Sequence, residues 1–324
     1  MIFFLEMKEK IIISLITQYL IQIFNLIATF IFVLYLDVIL IGIWGFLSSI
    51  VGLSFIAVEI GLIKIHYQYA EKSNYDDYFS SFFASKIILI ILNSSFSLIL
   101  LTILNLWTSE FIDLIVILIL TRAIFEVLNI FDVHLSGKLK VIKVQVSAFF
   151  MNLINSLGKI YVALNLDVIS NPLFFISFIG LFAIGLKALI LFFLAKGEIS
   201  FLKPQKSFII NYYNDAKPFI IFSILSVFTS NFGYIFLDLS VGHERLAYFY
   251  IVNAYIVPLM SSISLSLISI CLPLFSIYLA NNENKKVENF IHILEKNISI
   301  ILLFFILNIL TIGRLVFLLF LPKY

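Results

Sequence analysis

The sequence predicts an all-α polytopic membrane protein with about nine spans, on three observations. First, 62% of the 324 residues are hydrophobic and only 12% are charged, with a mean hydropathy of +1.12. A soluble domain carries about 25% charged residues. Second, apolar windows of about 20 residues, the length that crosses a bilayer as a helix, recur along the whole chain. Third, the basic residues fall on alternate connections between those windows. The net charge of +2 carries little information beside that distribution. Cys271 is the only cysteine, which excludes an internal disulfide and a thiolate metal site.

Taken in order, the predicted spans are 11–36, 39–63, 83–107, 111–131, 144–165, 172–195, 218–238, 246–278 and 297–321. The opening MIFFLEMKEK is short and of mixed charge, and no small-residue cleavage site follows. The first span is therefore expected to serve as its own insertion signal. The eighth is long for one helix and too short for two. Pro258 and Pro273 predict a kink there, because each lacks the amide that would bond four residues back.

Placing the N-terminus in the cytoplasm puts 15 lysines on inner segments: Lys8, Lys10, Lys64, Lys72, Lys86, Lys138, Lys140, Lys143, Lys196, Lys203, Lys206, Lys217, Lys285, Lys286 and Lys296. Only Arg245 and Lys323 fall outside, which is the asymmetry of a cytoplasmic-membrane protein. Trp44 and Trp107 land near outer span ends, where interface aromatics sit. The acids of the short outer connections, Asp37, Glu110, Asp113 and Asp167, read as turn polarity. The longest polar stretch, KGEISFLKPQKSFIINYYNDAKP, reads as a cytoplasmic linker. The expected organisation is a first six-helix lobe over 1–195, a linker over 196–217 and a second lobe over 218–324. No extramembrane segment is long enough for a catalytic domain, so function is expected among the helices.

Several polar residues interrupt the apolar spans. Ser14, Gln18, Gln22, Asn25 and Thr29 recur at spacings of four, four, three and four, on one face of the first span. Buried amides need partners or water. Two readings fit this stripe: hydrogen bonds to a neighbouring helix, or the wall of a water-filled cavity. Span 7 carries a weaker stripe of Ser223, Ser226, Ser230 and Gly233, which suggests two related lobes. Ser262, Ser266 and Ser269 of span 8, and Gly42, Gly45, Gly52 and Gly61 of span 2, read as close-packing positions.

Charges inside spans are rare and costly, and so are the sharper signal. Arg122 lies near the middle of span 4 with Glu126 one turn further on the same face. The two fit either a self-neutralising i,i+4 pair or a cationic cavity site in which Glu126 titrates. Lys159 shares a face with Asn152, Asn155 and Ser156; a cavity position competes there with snorkelling to the interface. Lys187 and Arg314 are near enough to span ends to snorkel, and Glu59 can reach cytoplasmic water or Lys64. Asp238, in the FLDLSVGHERLAYFY turn between spans 7 and 8, is expected to be satisfied by water or Arg245. The chain carries no paired catalytic carboxylates, H-E-x-x-H, nucleophile motif or phosphate loop, so no enzymatic activity, cofactor or metal is expected. His66, His134, His243 and His292 lie in or beside loops and do not cluster as metal ligands by sequence. Nothing points to nucleic acid.

Four stretches carry a resemblance: GIWGFLSSIVGLSFIAVEIGL (42–62), the entry to the second half at 214–259, CLPLFSIYLANNENKKVENFIHILEKNISIILL (271–303) and LVFLLFLPKY (315–324). Together they resemble the Wzx-like polysaccharide-biosynthesis flippases of the multidrug/oligosaccharidyl-lipid/polysaccharide exporter (MATE/MOP) superfamily. The likeness runs from end to end on loose patterns. It implies two six-helix lobes around a central cavity that opens to either side alternately. The implied cargo is a polyprenyl-pyrophosphate-linked oligosaccharide, often coupled to an ion gradient of H+ or Na+. On that reading Arg122 and Lys159, chosen for depth and facing, would meet the pyrophosphate, and Gln18, Gln22 and Asn25 would line the cavity. Glu126 and Glu59 would be the candidates for ion coupling.

Two departures accompany the resemblance. The family has at least twelve spans, so nine imply an incomplete second lobe. Gly233 stands where members often carry a span-7 acid. Alternatives are a cation-coupled exporter of small amphipathic compounds, a non-transporting fragment of a flippase, and a membrane-embedded polymerase or glycosyltransferase. The enzyme reading lacks the outer loop or soluble region that such enzymes need.

Overall fold

The computed structural model describes residues 2–253 except 60, 72–74 and 104–110, and beyond 253 only scattered positions between 275 and 299. For residues 2–12, 15, 57, 59 and 71 it describes the backbone alone. Nine α-helices form, with no strand among the described residues: α1 Ile2–Tyr35, α2 Val38–Ser54, α3 Leu62–Gln68, α4 Tyr75–Ile103, α5 Ile112–Gly137, α6 Val141–Leu164, α7 Pro172–Leu194, α8 Lys206–Val241 and α9 His243–Ile251. Six are long and apolar enough to cross a membrane: α1 from Ile16, and α4, α5, α6, α7 and α8. The chain is thus an all-helical, multi-pass membrane protein. Of the expected later spans, the start of the eighth and a few scattered positions are described; Pro258, Pro273, Arg314 and the serines at 262, 266 and 269 lie outside the described residues.

Local signals set the helix ends. The Asp37 carboxylate accepts from the Ile39 amide at 2.8 Å and starts α2. The Asn171 side chain accepts from the Phe174 amide at 3.1 Å, and Pro172 opens α7, where its missing amide costs nothing. Gly242, at φ 82°, separates α8 from α9, a conformation that favours glycine.

Two elements depart from expectation. Span 2 is not one helix over 39–63. It is helical only to Ser54, continues as a 3-10 turn Ile56–Glu59, and resumes as α3 after Gly61 at φ 87°. Gly61 is what permits that break. Residues 206–217, expected in the linker, are the first turns of α8, which runs on through Pro218 to Val241. At 36 residues α8 is about 54 Å long, well beyond a hydrocarbon core of about 30 Å. Its first turns therefore extend beyond the hydrocarbon at the lysine-rich end of the bundle.

Packing joins α1 to α6, α6 to α7, α7 to α5 and α5 to α4. On the other side α2 packs on α8 and α9 and also touches α4 and α5. The core gathers around Phe55, Phe79, Phe82 and Tyr212. Ile91, Phe192, Phe193, Ile221 and Leu239 instead turn outward from α4, α7 and α8. Large apolar side chains left exposed on every long helix are a lipid-facing surface.

The glycines of the second span are contact points, as expected. A Cβ at Gly42 would lie 1.9 Å from the His243 carbonyl oxygen, at Gly45 2.7 Å from the Tyr250 ring, and at Gly52 2.3 Å from Asn231 Oδ1. Because the neighbour of Gly42 is backbone, Gly42→Ala must push α9 away from α2. A loss of about 1–3 kcal/mol is expected, measurable as denaturant unfolding in mixed micelles. Wild-type stability in that variant would contradict the packing described.

Candidate functional site: two polar cavities and a broken helix

The break in α2 leaves backbone groups without helical partners inside the bundle, where each must be met by something else. Lys86 of α4 meets one of them: its ammonium donates to the Val58 carbonyl oxygen at 2.8 Å. Lys86 is fully buried, and its charge is balanced by Glu126 of α5 at 3.6 Å. Glu126, itself 1% exposed, also pairs at 2.8 Å with Arg122, whose side chain is 36% exposed. A buried ion pair survives only when its charges are matched and hydrogen-bonded. The resulting chain, Val58 carbonyl to Lys86 to Glu126 to Arg122, leads from the broken helix to an open space.

That space is a cavity of about 510 Å³ between α2, α5 and α8, lined by Arg122, Lys64, Ser223, Ser226, Ser230 and Asn231 among others. The Lys64 ammonium also lies over the Phe222 ring at 4.8 Å from its centre. A second cavity of about 380 Å³ opens between α1, α2, α5, α6 and α7. Its polar lining is Lys159, Gln22, Asn25, Asn152, Asn155, Thr121 and Ser177, beside the Trp44 ring. The Thr121 and Ser177 hydroxyls are buried and have no hydrogen-bond partner among the described residues. Buried hydroxyls at a cavity wall in that state are donors and acceptors for water or a ligand. Thr121 and Arg122 are successive residues of α5, so this helix is the wall between the two cavities. Among the described residues, no aspartate or glutamate lines either one.

The predicted residues divide between these spaces. The stripe of α1 serves both of its readings. Asn25 donates to Asn152 Oδ1 at 3.2 Å and accepts from the Ser156 hydroxyl at 3.0 Å, and with Gln22 it also lines the smaller cavity. Ser14 and Thr29 are buried, and Gln18 is half-buried and not among the lining residues. Lys159 lines the cavity of Gln22 and Asn25, and Arg122 lines the other. Arg122 and Glu126 do form the i,i+4 pair, with Lys86 as a third member. Glu59 closes the 3-10 turn, and its side chain lies outside the described residues. The serines of α8 line the Arg122 cavity.

Three sequence readings are corrected. Lys86 is fully buried within α4, because α4 begins at Tyr75 and carries it about three turns into the bundle. Lys187 does not snorkel: it is 3% exposed and forms an ion pair with Asp132 of α5. Asp238 is paired with His243 Nδ1 at 2.5 Å rather than with Arg245. The structure also brings two of the four histidines together, a contact that the sequence reading did not address, with His66 Nε2 lying 3.2 Å from His134 Nδ1. The partners in three of these contacts are 40, 55 and 68 positions apart, so no helical spacing brings them to notice. Among the described residues no group of three His, Cys, Asp or Glu side chains is placed to hold a metal ion.

Compared with known proteins, the chain matches no family model, no curated protein and no solved structure.

Proposed function

We propose that this chain is a transporter that carries an anionic, polyol-bearing lipid across the cytoplasmic membrane, and that its cargo is a polyprenyl-pyrophosphate-linked oligosaccharide for surface polysaccharide. The observation that carries this reading is the pair of polar cavities on either side of α5, each holding at least one cation and neither lined by an acid among the described residues. A pyrophosphate crossing hydrocarbon needs positive charge along its path. Lys64 and Arg122 supply it in one cavity, and Lys159 supplies it in the other. The amides and free hydroxyls around Lys159 suit sugar hydroxyls. A broken helix beside the cation site is an arrangement that transporters use to bind substrate among helices. An exporter of cationic amphipaths would instead need carboxylates in the lining. With the N-terminus in the cytoplasm, Arg122 and Lys64 face the inner half and Lys159 the outer half, so the two cavities are successive stations. Glu126 ties this path to the buried Lys86 by pairing with both Arg122 and Lys86.

Arg122→Ala and Lys159→Gln test the reading. Each removes a charge-assisted contact worth about 1.5–3 kcal/mol, so binding of a polyprenyl pyrophosphate in nanodiscs should weaken roughly 10- to 100-fold. Surface glycan should fall in cells while membrane insertion is unchanged. Unaltered binding and unaltered glycan in both variants would overturn the assignment.

A further inference from the structure

The lysine-rich end of the bundle holds a chain of hydrogen bonds that the transport reading does not use. The Tyr212 hydroxyl of α8 lies 2.6 Å from His66 Nδ1 of α3. His66 Nε2 lies 3.2 Å from His134 Nδ1 of α5, and His134 Nε2 lies 3.1 Å from Asp76 Oδ1 of α4. Both imidazoles are fully buried, whereas the Asp76 side chain is 45% exposed and paired with Lys138 at 2.5 Å. Phe82 stacks on the His66 ring at 4.1 Å between centres. One end of the chain thus meets water, and the other ends on a helix of the other packing group.

The chemistry of the two ends sets the direction of every proton. The Asp76 carboxylate can only accept, so neutral His134 carries its proton on Nε2 and offers Nδ1 as acceptor. His66 must then carry its proton on Nε2 and leave Nδ1 to accept from the Tyr212 hydroxyl. All four ring nitrogens are satisfied with no charge in the buried pair. One added proton cannot be accommodated in that order. If His134 takes it on Nδ1, His66 must accept at Nε2 and move its own proton to Nδ1. The Tyr212 oxygen then faces a donor, and its hydroxyl hydrogen has to turn away from α3. The two bonds between His134 and Tyr212 reverse while His134 still donates to Asp76, and a cation now sits in an aromatic cage.

The geometry points to the His66–His134 pair being a proton-binding site, loaded from water through Asp76, whose occupancy unlatches α8 from α3. It stands independently of the cargo. The groups facing it are Tyr75 and Asp76 of α4, Lys138 after α5, and Tyr212 of α8. Around Tyr212 lie Tyr69 and Tyr78, and Asp215 accepts from the Tyr69 hydroxyl. Tyr67, hydrogen-bonded to Ser136 and near Asp132, faces the same layer. Burial, and then the neighbouring His134, hold His66 well below the ordinary imidazole value. The latched form is therefore favoured above a pH of about 6.5 and loses that advantage as pH falls below it.

The test uses the full chain in nanodiscs. Nitrogen NMR of ring-labelled histidine should show His66 and His134 as neutral Nε2–H tautomers at pH 7.5, taking up one shared proton well below pH 6.5. Independent titration of both near 6.5, or an Nδ1–H tautomer at either, overturns the proposal. Spin labels at the outward-facing positions Ile142 and Ile210, in a Cys271→Ser background, report the latch. Between pH 7.5 and 5 the unlatched-to-latched ratio should rise about 30-fold for one proton. His134→Gln, which can bond but not titrate, should abolish that rise. Tyr212→Phe, which keeps the ring packing, should be unlatched at both pH values. No distance change in wild type, or the wild-type change in His134→Gln, overturns the proposal.

Discussion

Replacing Glu126 by alanine is expected to destabilise the protein by about 3–5 kcal/mol, the cost of leaving a buried charge without its counter-ion. Glu126 balances two cations, one of them a fully buried lysine that also holds the Val58 carbonyl at the break after α2. Removing the carboxylate therefore acts on the break as well as on the pair. Glu126→Gln keeps the shape and should fall between wild type and alanine. Arg122→Ala, by contrast, removes the half-exposed member and should cost little stability while affecting ligand binding. Denaturant titration in mixed micelles measures all three. A loss below about 1 kcal/mol for Glu126→Ala would mean that Lys86 does not depend on it.

The second large effect is expected at the Asp132–Lys187 pair between α5 and α7. Lys187 is 3% exposed and Asp132 is 16% exposed at the side chain, so either partner left alone is a charge inside the bundle. Lys187→Ala and Asp132→Ala should each cost about 3–5 kcal/mol. The double variant Lys187→Met, Asp132→Leu should recover most of that loss, because it removes both charges and keeps the volume. A double-mutant cycle reads the coupling directly. Additive losses would show that the two residues act separately.

These two sites mark where reading the chain by periodicity stops. Hydropathy placed the helices well: the expected 111–131, 144–165 and 172–195 correspond to Ile112–Gly137, Val141–Leu164 and Pro172–Leu194. The cost of hydrocarbon for polar backbone leaves few other outcomes for windows that long. Where expectation failed, the cause was local. Gly61 took a left-handed conformation and broke span 2, and the polar start of α8 helped extend a helix past the membrane thickness. Polar residues within one helix were legible too. Asn25 of the α1 stripe and the Arg122–Glu126 spacing both correspond to contacts in the fold, because 3.6-residue geometry is written in sequence separation.

The sequence by itself determined a helical membrane protein, the faces on which its polar residues stand, and the short list of charges to be explained inside it. Only the tertiary structure decided their partners. It gave Lys86 to Glu126 and the Val58 carbonyl, Lys187 to Asp132, and His66 to His134 and Tyr212. It also placed Arg122 and Lys159 on two cavities rather than one. The physical reason is that burial cost belongs to a single residue and can be read from its type. Its compensation belongs to whichever helix packs alongside, and chain separation carries no record of that.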